Sequence, residues 1–265
     1  MHILVLVKQV PDTLNVTFDR EDFRLIRDQE QAVINPFDLC ALEAAARLKD
    51  QDAEIQIYAM SMGEHGTESV LRDALAVCAD QAVLISDPKL KGSDTVTTAH
   101  VLAAAVKKIE ADAGITFDLI CCGIRAIDGG TSAIGPMLGI LLDRPFISDV
   151  LSCQIQDDDL IVNTETDTEM YRAAVKLPCI CSFTKADYSP RYPKVIRIIE
   201  AQDAQIWMLS AAQLSLSEWV GSDHAITVRS VKYHRLKKKS HIIKNKDPET
   251  AAKILADMLI KERIV

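Results

Sequence analysis

A chain of 265 residues, 48% hydrophobic and 26% charged, carries enough apolar material for a full core and reads as one large globular domain or one domain with an extension. Its net charge of −8 argues against a nucleic-acid binder, which would carry a basic face. No apolar run approaches the roughly 20 residues of a bilayer-crossing helix, and the short N-terminal run has no basic segment before it, so the expectation is a cytoplasmic protein without membrane insertion.

His2 to Val7 predicts a first strand. Lys8 to Thr13 leaves it as a loop, and residues 14–34 read as an irregular or hairpin excursion with several charges. Asn35-Pro36 opens a helix, with asparagine as N-cap and proline at the first helical position. Ala41, Ala44, Ala45 and Leu48 then recur at helical spacing and give it one apolar face. Glu54 to Met60 is a second strand, and Ser61-Met62-Gly63 turns out of it. The next helix places Val70, Leu71, Ala74, Leu75 and Cys78 on one side. Ala82 to Ile85 is a third strand, ended by Asp87-Pro88. A third helix starts after Ser93-Asp94 and carries Val101, Leu102, Ala105, Val106 and Ile109.

Residues 117–122 form a fourth strand, whose continuous apolar run ending in Gly123 predicts burial on both faces. A loop follows, with adjacent Gly129 and Gly130 and hydroxyls on Thr131 and Ser132. Helical spacing then resumes at Ile134, Leu138, Leu141 and Leu142. A strand, a glycine loop and a helix N-terminus make an anion cradle, because free N–H groups and the helix dipole face the ligand. Gly129 and Gly130 let the backbone come close and permit positive φ, while Thr131 or Ser132 can cap the helix or donate to a phosphate. The plainer reading is a strand-to-helix turn with a good cap; the loop is neither GxGxxG nor a Walker A.

Strand and helix alternate at lengths suited to right-handed crossovers, which predicts an α/β fold with a doubly wound, mostly parallel, Rossmann-like sheet. Ligands on such sheets bind beyond the strand C-terminal ends. Val7-Lys8-Gln9, Ser61-Met62-Gly63 and Cys122-Gly123 should therefore line one crevice, with the helix start at Asn35 facing it.

After Pro145, residues 147–155, 159–166 and 170–175 read as short strands, with Asp157-Asp158-Asp159 as a hairpin turn. Leu177 to Phe183 is another buried strand, and together these add antiparallel strands to the sheet edge. Residues 184–193 form a loop. From 210 the periodicity fades, and 235–239 is a basic run of a solvated or partner-facing kind. Asp247-Pro248-Glu249 caps a last helix with Ala251, Leu255, Met258 and Leu259 on one face. The expected division is a nucleotide-binding domain over 1–209 and an arm over 210–265 that packs on another subunit. The cysteines are scattered; Cys179 and Cys181 alternate onto one strand face, and the spacing points to buried reduced thiols rather than to a metal.

Several stretches resemble one family. They are Val7-Lys8-Gln9-Val10-Pro11-Asp12, Asn35-Pro36-Phe37-Asp38 with Ala41-Leu42-Glu43, Leu71-Arg72-Asp73-Ala74-Leu75-Ala76 with Ala79-Asp80, Gly123 with Ala126-Ile127-Asp128-Gly129, and Pro190-Arg191-Tyr192-Pro193. In order and spacing, over roughly residues 1–210, they resemble the β subunit of electron transfer flavoproteins, and the first and fourth are similar to the electron-bifurcating type of anaerobic bacteria. The resemblance implies a heterodimer with a larger α subunit, whose FAD exchanges electrons with partner dehydrogenases. It implies an adenine nucleotide in this chain's own crevice. In bifurcating members that nucleotide is a second FAD, which takes hydride from NADH and sends electrons to an acyl-CoA dehydrogenase-type flavoenzyme and to a low-potential acceptor, ferredoxin or flavodoxin. In simpler members it is AMP with a structural role. FAD is the preferred reading and AMP the alternative. A stand-alone nucleotide-binding module, similar to stress-response α/β proteins, would be a stable monomer, and the arm after 210 argues against it.

By this resemblance the nucleotide-contacting positions are Leu6, Val7 and Lys8; Asn35, Pro36, Phe37 and Asp38; Met62 and Gly63; and Gly123, Ile124, Arg125, Ala126, Ile127, Asp128, Gly129, Gly130, Thr131, Ser132, Ala133 and Ile134. The partner-docking loop falls on Asp187, Tyr188, Pro190, Arg191 and Tyr192. No catalytic acid, base or nucleophile is implied, so His65, His100 and Asp128 are left as structural in that sense. The chain departs from the family pattern in places. Ile124-Arg125 stands where a basic residue and then glutamine are usual, Gly130 where an acidic residue is usual, and Ser132-Ala133-Ile134-Gly135 where Ala-Gln-Val-Gly is usual. Arg125 can stabilise an anionic reduced flavin, or pair with Asp128 or a phosphate. With Asp187 inside the docking anchor, Tyr188 is the candidate anchor; the plainer role of Tyr188 and Tyr192 is to cover the sheet edge.

Overall fold

The computed structural model describes residues 1–12, 17–18, 25–26, 32–166, 168–185, 188–216, 242–244 and 247–263. Asp187, the basic run at 235–239 and most of 14–31 lie outside the described residues. The chain divides into two units, Met1–Val228 and Arg229–Val265.

In the first unit the strands are β1 (His2–Leu6), β2 (Gln9–Pro11), β3 (Thr17–Phe18), β4 (Leu25–Ile26), β5 (Ala32–Ile34), β6 (Gln56–Met62), β7 (Gln81–Ile85), β8 (Leu119–Gly123), β9 (Phe146–Gln156), β10 (Asp159–Glu165), β11 (Met170–Lys176), β12 (Cys179–Phe183) and β13 (Ile206–Leu209). Its helices are α1 (Pro36–Gln51), α2 (Glu68–Val77), α3 (Thr95–Ala113), α4 (Ile134–Leu142) and α5 (Val195–Asp203). The second unit holds α6 (Pro248–Lys261), whose N-cap Asp247 accepts from the amides of Glu249 and Thr250.

Nine strands make one sheet in the order β11-β10-β9-β12-β8-β1-β6-β7-β13. The pairs from β9 across to β13 are parallel, and β9, β10 and β11 form an antiparallel extension. Side-chain alternation along β1 sends Ile3 and Val5 to one core and Leu4 and Leu6 to the other. Leu42 of α1 and Leu71 of α2 complete the first core, and Val106 of α3 and Leu138 of α4 complete the second. Helices on both faces are what make the central strands read as unbroken apolar runs. The chain winds outward from β1 through β6 and β7 and then returns to β8 on the other side of β1. The strand order therefore reverses between β1 and β8, and on sheets of this kind ligands bind beyond the C-terminal ends at that point.

Four local expectations are corrected. Gln9–Pro11 is a short antiparallel ribbon with β5 rather than a loop, with Val10 opposite Val33. β6 keeps Ser61 and Met62, because pairing with β7 continues to Met62 opposite Ile85. β12 is not an antiparallel edge addition: it runs parallel between β8 and β9, with every residue buried. α5 and β13 follow the 184–193 loop, where no element was expected. α5 buries Ala201 and leaves Val195, Ile196 and Ile199 exposed, so its apolar residues do not mark the face that packs. Two arginines hold it instead. Arg72 donates to the carbonyls of Ala201 and Gln202, and Arg197 donates to those of Leu75 and Ala79, so each cation meets the carbonyl end of the other helix.

The described structure records all the cysteines as free thiols, with Cys153 half-buried and the rest buried. Burial pushes the Cys78 and Cys122 thiols up to about 12, which leaves them inert at neutral pH. No helix among the described residues is long and apolar enough to cross a membrane.

Candidate functional site

The ends of β1 and β8 are tied together by one carboxylate. Asp38, in the first turn of α1, is 6% exposed. Its Oδ2 accepts from the Lys8 amide at 2.8 Å, and its Oδ1 accepts from the Gly123 amide at 2.9 Å and from Asn35 Nδ2 at 3.0 Å. Burial pushes this carboxyl up to about 7; the three donors and the Lys8 charge pull it down only in part. Gly123 is where β8 meets α1. A Cβ there would lie 2.4 Å from Asp38 Oδ1 and 2.7 Å from Phe37 Cβ, so only glycine permits this approach.

Asn35 occupies the N-cap position of α1, but its side chain makes no capping bond. Buried to 1% exposure, it reaches across the crevice instead. Nδ2 donates to the Arg125 carbonyl at 2.9 Å, and Oδ1 accepts from the Ile127 amide at 3.2 Å. The expected cap is thus a clamp on the loop after β8, because the loop supplies a complementary donor and acceptor and the buried amide must use both. The Asn35 amide itself donates to the Lys8 carbonyl at 2.9 Å. The turn after β6 joins through Thr67, whose hydroxyl donates to Gln9 Oε1 at 3.0 Å, and through the Gly63 amide, which donates to the Ile85 carbonyl. Exits of β1, β6 and β8 and the start of α1 therefore meet, as the strand–helix alternation predicts. Leu6 and Val7 turn into the core, Met62 and Phe37 are half-buried, and Pro36 is exposed.

The loop from Ile124 to Ala133 carries the groups open to a ligand. Lys8 Nζ bridges both oxygens of Asp128, at 2.8 and 2.9 Å. The Arg125 guanidinium lies 5.5 Å from the centre of the Phe37 ring, and no carboxylate among the described residues pairs with it. Gly130 adopts φ +64° as its amide donates to the Ala126 carbonyl at 2.8 Å. Ser132 is also left-handed, at φ +53°. Neither Thr131 nor Ser132 caps α4: Ala133 holds the N-cap position without a side-chain bond. The amides of Ile134 and Gly135 at the start of α4 thus meet no side-chain acceptor, Pro136 after them has no N–H, and among the described residues the space beside Gly129 holds only Lys8 Nζ, at 4.0 Å. Amide donors at a helix start, an open glycine pair and cations at the rim form a donor set complementary to phosphate.

Residues 22–213 match the family described as Electron transfer flavoprotein domain. The electron transfer flavoprotein subunit beta of Megasphaera elsdenii is 40% identical over 219 residues, covering 82% of this chain and 81% of that protein. The chain belongs to the electron transfer flavoprotein β-subunit family. It is also similar to subunit CarD of the caffeyl-CoA reductase–Etf complex of Acetobacterium woodii, at 35% identity over 82% of this chain and 81% of that one. The acryloyl-CoA reductase electron transfer subunit gamma of Anaerotignum propionicum is 35% identical over 79% of this chain and 77% of its own length.

In this electron transfer flavoprotein subunit the loop before α5 is pinned to α1. Arg191 bonds Glu43 through its amide (3.1 Å), Nε (2.8 Å) and Nη2 (3.2 Å), and reaches Asp50 Oδ2 at 2.7 Å. Arg47 bonds the same Glu43 at 3.0 Å and lies 4.0 Å over the Tyr188 ring. Tyr188 is half-buried there, and burial pushes its hydroxyl up. Tyr192 stands 94% exposed. Burial pushes the Glu43 carboxyl up, but the bonds and charge of Arg191, with Arg47, outweigh it and hold the group below its ordinary value. Its contribution to stability is therefore present above the ordinary carboxyl range and is lost as pH falls through the lowered value. Arg191→Ala should cost about 2–3 kcal/mol at neutral pH, because Glu43, 5% exposed, keeps only Arg47, and the acid-side loss of stability should shrink. Thermal unfolding at about pH 7 and pH 4 checks both. Glu43, Arg47 and Asp50 are invisible as partners in the sequence, where they are ordinary charges on a helix.

Proposed function

We propose that this subunit holds FAD in the crevice beyond β1 and β8 and passes electrons from NADH to an acyl-CoA dehydrogenase-type flavoenzyme and to a low-potential acceptor, ferredoxin or flavodoxin. The phosphate-complementary donor set on the 123–134 loop, with Arg125, unpaired among the described residues, at its rim beside the Lys8–Asp128 pair, is the observation that carries this reading. Bound there, FAD supplies hydride acceptance and one-electron transfer. The protein's own residues hold and orient. Asp38 and Asn35 lock the loop to α1, Gly129 and Gly130 leave room for backbone approach, and the uncapped α4 start offers amides to a pyrophosphate. Relatives named for caffeyl-CoA reductase and acryloyl-CoA reductase complexes support a partner that reduces or oxidises a CoA ester. A shallow depression of about 650 Å³ along α4, lined by Pro136, Ile140, Arg144 and Phe146, suits a phosphate less well, because its cation, Arg144, is committed to Glu110 at 2.7 Å.

Heterodimer formation with an α subunit follows the same reading, with the arm over 210–265 packing on that subunit. For the dehydrogenase, the docking surface is the 184–193 loop. Arg191 is its structural pin, and Tyr192 is the tyrosine with area to bury on a partner.

The test is the nucleotide content of the heterodimer purified with its own α subunit and no added cofactor. One FAD beyond that of the α subunit, no AMP, and bleaching by NADH are expected. One AMP in place of that FAD overturns the redox reading and leaves a structural nucleotide.

A further inference from the structure

We infer that Arg125 is the side chain that grips the nucleotide's phosphate, and that Lys8 is held out of this role by Asp128. The inference rests on the nucleotide reading of the crevice and says which cation does the work there. Two cations border the loop. Lys8 Nζ is bridged by both oxygens of Asp128, at 2.8 and 2.9 Å, so its charge is met within the protein. Arg125 has no carboxylate partner among the described residues.

Arg125 is nevertheless oriented. Its carbonyl is fixed by Asn35 at 2.9 Å, and its guanidinium lies over Phe37 at 5.5 Å. Phe37 in turn stands in the first turn of α1, its Cβ against the spot where Gly123 lacks one. A cation–ring contact at 5.5 Å favours this placement of the guanidinium without neutralising it, so its charge stays available to an anion. The planar fork of donors suits phosphate oxygens bidentately, which a compact ammonium does not. The rest of the loop offers no competing anion: from Ile124 to Ala133 the only carboxylate is Asp128, already bound to Lys8.

The ligand chemistry is a nucleotide phosphate, and the test compares ADP with adenosine on the heterodimer freed of exchangeable nucleotide, by calorimetry. Wild-type protein should prefer ADP. Arg125→Gln should weaken ADP by about tenfold to a hundredfold and adenosine by less than about threefold, with Arg125→Lys between. Asp128→Asn should tighten ADP a few-fold by releasing Lys8. An unchanged ADP preference in Arg125→Gln, or its loss in Lys8→Gln alone, overturns the inference while the nucleotide reading stands. If wild-type protein binds neither probe and releases no nucleotide beyond that of the α subunit on denaturation, the nucleotide reading itself fails. Arg125 is exposed, so its variants should fold, and unchanged thermal unfolding confirms that the comparison is of binding.

Discussion

Asp38→Ala is expected to destabilise the protein by roughly 2–5 kcal/mol at neutral pH, the sum of two part-buried backbone amides and one buried side-chain amide left without their acceptor. Removing the carboxylate also relieves the cost of its burial, which the three donors offset only in part, and this relief holds the net loss to the lower part of that range. The same group sets a pH dependence. Its carboxyl titrates near 7 when folded and near 3.8 when unfolded, so between these values the folded state holds a proton that the unfolded chain has released. Stability from this group is therefore highest below about pH 4. It declines as pH rises to about 7, by up to ~4 kcal/mol, and then levels off. Asp38→Asn should abolish that slope yet still cost about 1–3 kcal/mol, because its NH₂ must face either the Lys8 or the Gly123 amide, donor against donor. Urea unfolding at about pH 5, 6 and 8 measures both effects. A pH slope surviving in Asp38→Asn would mean that another group carries it.

Gly123→Ala is the second change with a large expected effect. The new Cβ would meet Asp38 Oδ1 at 2.4 Å, Phe37 Cβ at 2.7 Å and the Phe37 carbonyl carbon at 2.8 Å. One of these is backbone of α1, which cannot swing aside as a flexible side-chain tip could. Destabilisation of about 2–4 kcal/mol is expected, through overpacking and through loss of the Gly123–Asp38 bond as the strand end moves away. Nucleotide retention should fall by more than about tenfold, because the loop that follows is displaced with it. Gly129→Ala is the control. Only Lys8 Nζ, at 4.0 Å, lies near its Cβ, so stability should change by less than about 0.5 kcal/mol. Thermal unfolding and nucleotide content, measured together, separate the two positions. Equal effects at both would show that the close approach at Gly123 is not what matters.

The convergence of the β1, β6 and β8 ends on the start of α1 was legible because its signals are local. Apolar runs such as Leu119 to Cys122, the Asn35-Pro36 helix start and the glycine pair each occupy a few neighbouring residues, and a doubly wound sheet must bring such strand ends together. The cap roles were misread for the opposite reason. Asn35 and Ser132 are good capping residue types, but a cap competes with every other partner the fold offers. The fold offers Asn35 the 125–127 backbone and twists Ser132 to φ +53°, so neither caps its helix. α5 escaped because its apolar residues point outward while arginines from both sides hold its end. Arg191 reads as a docking residue in a Pro-Arg-Tyr-Pro loop, yet its fork closes on Glu43, 148 residues earlier.

By itself, then, the sequence determined the alternation of strands and helices, the strand ends that converge and the family, all of which rest on periodicity and on short motifs. The tertiary structure alone decided which charges meet. Asp38 joins Lys8 to Gly123, Asn35 clamps a loop 90 residues away, and Lys8 takes Asp128 and so leaves Arg125 open. The physical reason is that a buried or clustered polar group is satisfied by whatever donor or acceptor the folded chain brings within about 3 Å, and no local pattern encodes that neighbour.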